Sequence, residues 1–264
     1  MTRNWNRLLR ECNGRYVAKL DADDAFQPHV LARLKESLES EKLSVAFCRT
    51  IDCDDELQPL GSYYGERAFI LRGIEPREDH VRDGASWLDI CFDGYQLWHS
   101  SSFLATRELL TDLHGWDERW GCAADTDLIH RILHHESRVA SIGYPGLLYR
   151  RRSGSIFDGY KKRNWFKTEV LTVLLLSLHR MSSSGMVKSI RLRKTWGGLW
   201  LAREAALAEL DATNRDFVAA NADVPKPPWP YVTAYQVREL VAARGRDLSR
   251  IVRSRKLTSN SCEQ

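Results

Sequence analysis

The sequence lacks the features that mark secreted, zinc-binding and membrane-spanning proteins. Its most apolar run, residues 170–178, has nine residues, well short of the roughly 20 that a membrane-spanning helix needs. The six cysteines include no Cys-x-x-Cys pair, which argues against a zinc site or a disulfide framework and favours free thiols in a reducing compartment. Residues 1–7 have no apolar stretch of the signal-peptide type, so we expect a cytoplasmic protein.

A strong excess of one charge is also missing. The 39 Lys and Arg residues against 35 Asp and Glu leave a net charge of +4 over 264 residues, which gives no reason to expect nucleic-acid binding. The hydrophobic content of 43% and the charged content of 28% are ordinary for a globular protein. The length allows one large domain, or one domain with an appendage.

The most informative stretch is an apolar segment, residues 16–20, that runs into three carboxylates. Gly14 precedes it, and Asp21, Asp23 and Asp24 follow. The pattern predicts a buried strand of a parallel sheet, with Asp21 and Asp23 pointing the same way because side chains alternate along an extended chain. Two carboxylates there form an oxygen site for Mg²⁺ or Mn²⁺. The alternative is a polar turn, since aspartate-rich turns are common.

Strand and helix patterns alternate up to about residue 158 and give way to helical patterns beyond it. Predicted helices of the first part are 1–12, 30–41, 106–113 and 125–135. Predicted strands are 44–51, 103–105, 138–142 and 146–152, and residues 62–84 are expected to be irregular with one strand at 68–71. Later helices are predicted at 165–181, 199–218 and 232–255, with a proline-rich linker at 225–230. These patterns predict an α/β core, residues 1–158, and a helical C-terminal extension, residues 159–264.

Three motifs follow one another along the chain. The first is Gly-x-Tyr-Val-x-x-Leu-Asp-x-Asp-Asp at 14–24, with Asn6 eight residues ahead of it. The second joins Gly-Trp-Asp-Glu at 115–118 to Ala-Asp-x-Asp-Leu-x-x-Arg-Ile at 124–132. The third is Tyr-Arg-Arg-Arg-Ser-Gly-Ser at 149–155. In this order they resemble glycosyltransferase family 2, inverting enzymes of the GT-A fold, and the resemblance covers residues 4–155.

The chain departs from the family pattern at several places. The family's Glu before the proposed base is Ala124 here, and the His of the last motif is Arg152. Family members also carry two strands that bind much of the nucleotide, and there is no room for them ahead of Asp21. We therefore expect an incomplete Rossmann-like sheet, truncated at its N-terminus. An alternative function is a catalytically inactive fragment that acts as a binding or partner module.

The resemblance implies roles for individual residues on the donor side. Asp21 and Asp23 would hold Mn²⁺ or Mg²⁺, and Arg150 and Arg152 would join them in binding a nucleotide-sugar donor, with a UDP-sugar preferred. The alternative for the two arginines is solvated charge on a strand. Asp125 would be the general base; the alternative is a plain helix N-cap, for which Asp is a favoured residue.

Acceptor contacts are expected at the aromatic loop, residues 114–121, which is rich in aromatic and acidic residues. Trp116 and Asp117 would bind the acceptor, and Trp116 with Trp120 could offer a stacking face; packing in the core is the alternative for both indoles. The missing Gln-x-x-Arg-Trp motif of processive family members implies transfer of single sugars to a glycan or lipid-linked acceptor, as in cell-surface polysaccharide biosynthesis.

The last predicted helix carries a basic run. Over residues 244–256 it holds five arginines and one lysine against one aspartate. One interpretation is peripheral contact with anionic lipid at the inner face of the membrane, and the other is a solvated helix face. No aromatic residues accompany the arginines, so no nucleic-acid partner is expected.

Overall fold

The computed structural model describes residues 1–94, 96–152, 165–183, 199–200 and 202–204. The helices are α1 (Thr2–Glu11), α2 (Val30–Glu41), α3 (Glu66–Leu71), α4 (Gly84–Gly94), α5 (Arg107–Asp112), α6 (Ala124–His135) and α7 (Trp165–Ser183). The strands are β1 (Tyr16–Val17), β2 (Ala25–Phe26), β3 (Val45–Cys53), β4 (Pro59–Tyr63), β5 (His80–Arg82), β6 (Phe103–Thr106) and β7 (Val139–Arg150).

A seven-stranded mixed sheet forms the centre of the described part. Its strand order is β1-β6-β3-β7-β2, with β4 added to β3 and β5 added to β7. Strands β3 and β7 run parallel, and the other pairs are antiparallel. Helices cover both faces, so the predicted α/β class is confirmed.

The acidic segment is not the buried parallel strand that the sequence predicts. Only Tyr16 and Val17 join the sheet, as the terminal strand β1, antiparallel to β6. Leu20 is 44% exposed. The cause is Lys19, whose ammonium group donates to Asp21 and Ser100. The chain leaves the ladder to make these polar contacts.

Two other segments also differ from expectation. Residues 138–152 were predicted as two strands, but β7 is one strand whose register against β3 shifts beside Arg49. Gly146 is needed there, because a Cβ would lie 2.1 Å from the Val30 side chain. Residues 66–71 form the helix α3 and not a strand, since burying Ala68 and Phe69 on one side suits a helical turn.

The apolar run of α7 packs into the larger of two cores, as predicted for a core helix. Val173, Leu175 and Leu178 are fully buried there, in a cluster shared with α4 and α6. A smaller core under α2 covers the other face of the sheet. None of the described helices is long and apolar enough to cross a membrane.

Several expectations fall on other parts of the chain. The boundary between residues 158 and 159, the linker at 225–230 and the basic helix at 232–255 lie outside the described residues. Of the predicted helix at 199–218, only 199–200 and 202–204 are described, and they are helical.

Candidate active site

One buried lysine lies at the centre of the candidate site. The side chain of Lys19 is 7% exposed, and its ammonium nitrogen lies 2.9 Å from Asp21 Oδ1 and 3.7 Å from Asp125 Oδ1. It also donates to Ser100 Oγ at 2.8 Å and sits 4.0 Å from the centroid of the Trp5 ring. A single cation therefore joins the predicted donor-side acid to the predicted base.

Asp21 is held from several directions. Ser101 Oγ donates to its carboxylate at 3.1 Å and accepts its backbone N–H at 3.2 Å. Burial acts to raise the pKa of Asp21, but the charge and hydrogen bond of Lys19, with smaller contributions from His99 and Ser101, outweigh it and lower the pKa. Asp21 is therefore a fixed carboxylate anion.

Asp24 is a buried carboxylate with a free oxygen. Its side chain is 1% exposed, and Oδ1 accepts the backbone N–H of Arg150 at 3.1 Å. Oδ2 lies 3.7 Å from His99 Nδ1 and has no hydrogen-bond partner among the described residues. Burial raises the pKa of Asp24 to about 7, against the hydrogen bond from Arg150. A buried oxygen without a partner is costly, so this atom is suited to a ligand.

Asp21, Asp24 and His99 form the candidate metal group. One ligand atom from each lies within 4.8 Å of the others. Burial lowers the pKa of His99 to about 4, which keeps the imidazole neutral. Two carboxylates suit Mg²⁺ or Mn²⁺, and an imidazole is a further acceptable ligand for a transition metal such as Mn²⁺. With the free oxygen of Asp24, these residues fit a divalent ion.

Asp23, predicted as the second metal ligand, lies apart from this group. Its side chain is 45% exposed and lies 3.9 Å from Arg152 Nη1. The chain turns here, with the N–H of Asp24 donating to the carbonyl of Asp21. The alternation that would align Asp21 with Asp23 holds only for an extended chain, so this turn removes the basis for expecting the two side chains to point the same way. The polar-turn alternative describes this backbone correctly.

Asp125 meets the lysine from the first turn of α6. The Trp116 indole N–H donates to its Oδ1 at 2.9 Å, and its side chain is 21% exposed. Burial raises the pKa of Asp125 while Lys19 lowers it, and the net direction is upward. The N-cap interpretation is wrong, because the residue at the cap position is Ala123.

The start of α6 is capped from a distance by Glu169 of α7. Glu169 is only 2% exposed. Its carboxylate accepts the backbone N–H groups of Gly121 at 3.1 Å, Cys122 at 2.7 Å and Ala123 at 2.9 Å. An anion is favourable there because the free N–H groups and the helix dipole face it. Sequence reasoning missed this residue, although an acid directly before the run 170–178 was a visible signal.

The two indoles of the aromatic loop are buried, and one of them, Trp116, contacts the candidate base. Trp116 and Trp120 are each 3% exposed, so neither presents an exposed face for stacking in this structure, and the core alternative describes their packing. Asn6 fixes Trp116 by donating to its carbonyl at 2.7 Å and accepting its N–H at 2.8 Å. Asp117, the other predicted acceptor residue, is bonded by Arg119 at 2.6 Å.

The two predicted donor-side arginines lie beside the acidic turn. Arg150 donates from its Nε to the carbonyl of Asp23 at 2.9 Å, so much of its capacity is used in holding the turn. Arg152 is 55% exposed and lies 3.9 Å from both Asp23 and Asp55. Arg152 is therefore the one with donor groups facing solvent.

A comparison with protein families matches the part of the chain that holds the first motif, residues 14–24. Residues 1–93 match the family model described as Glycosyl transferase family 2. The resemblance is confirmed over these residues. They include Lys19, Asp21 and Asp24, whereas His99 and Asp125 lie beyond the match. A search of curated protein sequences found no match to the chain.

Solved structures also resemble the chain. S. aureus TarS 1–349 in complex with UDP-GlcNAc aligns over 88% of this chain and 70% of its own, with 14% identity and a TM-score of 0.45. The mannosyltransferase PcManGT from Pyrobaculum calidifontis, in complex with GDP-Man and Mn²⁺, aligns over 94% and 66%, with 17% identity and a TM-score of 0.39. In another TarS structure the chain covers 39% of the protein. These TM-scores are low, so the fold class rests on the strand order described above.

Proposed function

We propose that the protein is a glycosyltransferase that transfers a single sugar, with inversion, from a nucleotide sugar to a glycan or lipid-linked acceptor. A UDP-sugar is the proposed donor. The observation that carries the proposal is the position of Lys19, which lies within 3.7 Å of Asp125 and bonds Asp21. It brings a candidate base and a candidate diphosphate site to one place, and Lys19, Asp21 and Asp24 lie inside the segment that matches the family.

The donor side is assigned to the acidic turn. Asp21 and Asp24, with His99, would hold Mn²⁺ or Mg²⁺, and such an ion would offset the charge that grows on the leaving diphosphate. The proposal differs from the sequence prediction by replacing Asp23 with Asp24, because Asp24 supplies the buried free oxygen. Arg152, half-exposed beside the turn, would bind the diphosphate oxygens.

The acceptor side is assigned to Asp125. Its carboxylate would accept the proton of the acceptor hydroxyl as that oxygen attacks the anomeric carbon from the face opposite the leaving group. A base is most effective when its pKa approaches the working pH, and burial raises the pKa of Asp125 in that direction. The indole N–H of Trp116 orients the carboxylate, and Lys19 limits the rise of the pKa.

Substitution of the base tests the proposal. Purified protein with Mn²⁺ and UDP- or GDP-sugars is assayed for release of nucleoside diphosphate in the presence of candidate acceptors. Asp125→Asn is expected to lower transfer by about 100-fold or more, the scale of a lost general base, and to leave donor binding by calorimetry within a few-fold.

The matched control is Asp112→Asn, which removes an exposed carboxylate on α5 and is expected to leave transfer unchanged. Full transfer by Asp125→Asn would reject the base assignment. Donor binding without release of diphosphate in the wild type, for every acceptor tried, would favour the alternative of an inactive binding module.

A further inference from the structure

A cavity lies beside Trp116, the residue whose indole N–H donates to Asp125. It has a volume of about 840 Å³ and is walled by α1, α5, α6, α7 and the loop 113–119. That volume lies in the range of small-molecule sites, roughly 300–1,000 Å³. Five arginines line it, namely Arg10, Arg107, Arg119, Arg131 and Arg180, against two carboxylates, Asp117 and Glu118. We call it the arginine pocket.

Two of the five arginines are already neutralised. Arg119 forms a bidentate pair with Asp117, with contacts of 2.6–3.0 Å. Arg131 bonds the buried carboxylate of Asp127 at 2.7 Å and also holds the carbonyls of Leu113 and Gly115. These contacts fix the wall of the pocket.

Three guanidinium groups keep their binding capacity. Among the described residues Arg10 and Arg107 have no ion-pair partner. Arg180 forms only a long ion pair, with Asp127 Oδ1 at 3.7 Å, and its buried Nη1 has no hydrogen-bond partner within the part of the chain that the structure describes. The remaining carboxylate, Glu118, is paired with Arg3 at 3.2 Å. The pocket therefore holds an uncompensated positive charge and at least one buried donor without an acceptor.

The uncompensated positive charge of the pocket indicates which kind of ligand it suits. Guanidinium groups bind phosphate through paired N–H donors, and several of them around one cavity favour a group with more than one negative charge. Trp116 lines the pocket and donates to Asp125, so the pocket and the candidate base share a contact residue.

We propose that the arginine pocket binds a phosphate group through Arg10, Arg107 and Arg180. We assign that phosphate to the acceptor substrate, and this assignment rests on the proposed glycosyltransferase function. The binding of phosphate by the pocket does not rest on it.

The test is calorimetric titration of inorganic pyrophosphate into the full chain, in EDTA and low salt so that no metal site contributes. Arg10→Gln and Arg107→Gln are each expected to weaken binding by about tenfold, the scale of one charge-assisted hydrogen bond. The matched control is Arg7→Gln, an exposed arginine on the same helix α1 that does not line the pocket, and it is expected to bind as the wild type does.

Malonate, titrated in parallel, separates phosphate from carboxylate recognition and is expected to bind at least tenfold more weakly. No binding of pyrophosphate by the wild type, equal losses in Arg7→Gln and Arg10→Gln, or equal affinity for malonate would each overturn the proposal. If pyrophosphate binding follows the expected pattern while Asp125→Asn and wild type alike show no sugar transfer, the pocket stands and the proposed function fails.

Discussion

The acidic cluster and the arginine pocket both adjoin Trp116, and they differ in the sign of the charge that the protein leaves uncompensated. In the acidic cluster, the buried ammonium group of Lys19 lies 2.9 Å from Asp21 and 3.7 Å from Asp125, and Asp24 adds a third buried carboxylate. In the arginine pocket, five arginines outnumber two carboxylates. The first region lacks positive charge and can accept a cation; the second lacks negative charge and can accept an anion. Charge that the protein leaves uncompensated indicates which ligand each region suits.

The largest expected effect comes from removing the one cation of the acidic cluster. Lys19→Met leaves two carboxylates without their buried partner, and we expect a loss of about 3 kcal/mol in the free energy of unfolding, the low end for a broken buried pair. Urea unfolding measures it. The control is Lys35→Met, whose pair with Glu39 is 54% and 46% exposed at 3.7 Å and should cost less than about 1 kcal/mol. Equal losses in the two variants would show that the cluster does not need its lysine.

The next effect concerns Glu169, which caps the start of α6. Glu169→Gln removes the charge that accepts three backbone N–H groups, and we expect about 2 kcal/mol of lost stability, as for a hydrogen bond to a buried charge. Transfer should fall as well, because Asp125 lies in the first turn of α6. Glu36→Gln, an exposed acid on α2, is the control. A variant as stable as this control would contradict the capping role.

A comparison of neighbouring acids sharpens the metal assignment. Asp24→Ala is expected to weaken Mn²⁺ binding by about tenfold or more, the scale seen even for outer partners of a metal, because it removes a buried ligand oxygen. Asp23→Ala should bind Mn²⁺ within a few-fold of the wild type, since its carboxylate is half-exposed and outside the group. Paramagnetic resonance of free Mn²⁺ measures both. A larger loss of Mn²⁺ binding in Asp23→Ala than in Asp24→Ala would contradict this assignment and favour Asp21 and Asp23 as the metal ligands.

The smallest expected effect is a pH dependence in metal-free protein. The pKa of Asp24 is raised from 3.8 to about 7 by burial, so the folded state binds its proton more tightly than the unfolded state. This group therefore lowers stability as pH rises from about 4 to about 7. Asp24→Asn should raise the melting temperature by about 2–4 °C at pH 8, roughly 1 kcal/mol in a chain of this size, and by nothing at pH 4. Asp112→Asn is the control, and an equal gain at both pH values would contradict the buried-carboxylate assignment.

Local pattern determined much of the scaffold. The predicted helix at 30–41 is present over Val30–Glu41, and the predicted strand at 103–105 over Phe103–Thr106. These elements follow from the period of their apolar residues, which is a local property. The same holds for Asp125, which lies in the first turn of α6. The motif order also pointed to the family whose model matches residues 1–93.

The tertiary structure decided which side chains meet. A turn, and not the spacing of the acids, brings Asp24 next to Asp21, and His99 joins them from a loop 75 residues further along. Glu169 caps a helix from 46 residues away at Ala123, and the arginine pocket draws on four helices and a loop. Such contacts depend on the packing of distant segments, whereas the apolar period that predicts most of these helices and strands is local. The sequence alone determined most of the elements and the kinds of group available. Packing decided the exceptions at residues 16–20 and 66–71, where strand preference depends on tertiary context, and it determined which charges are compensated.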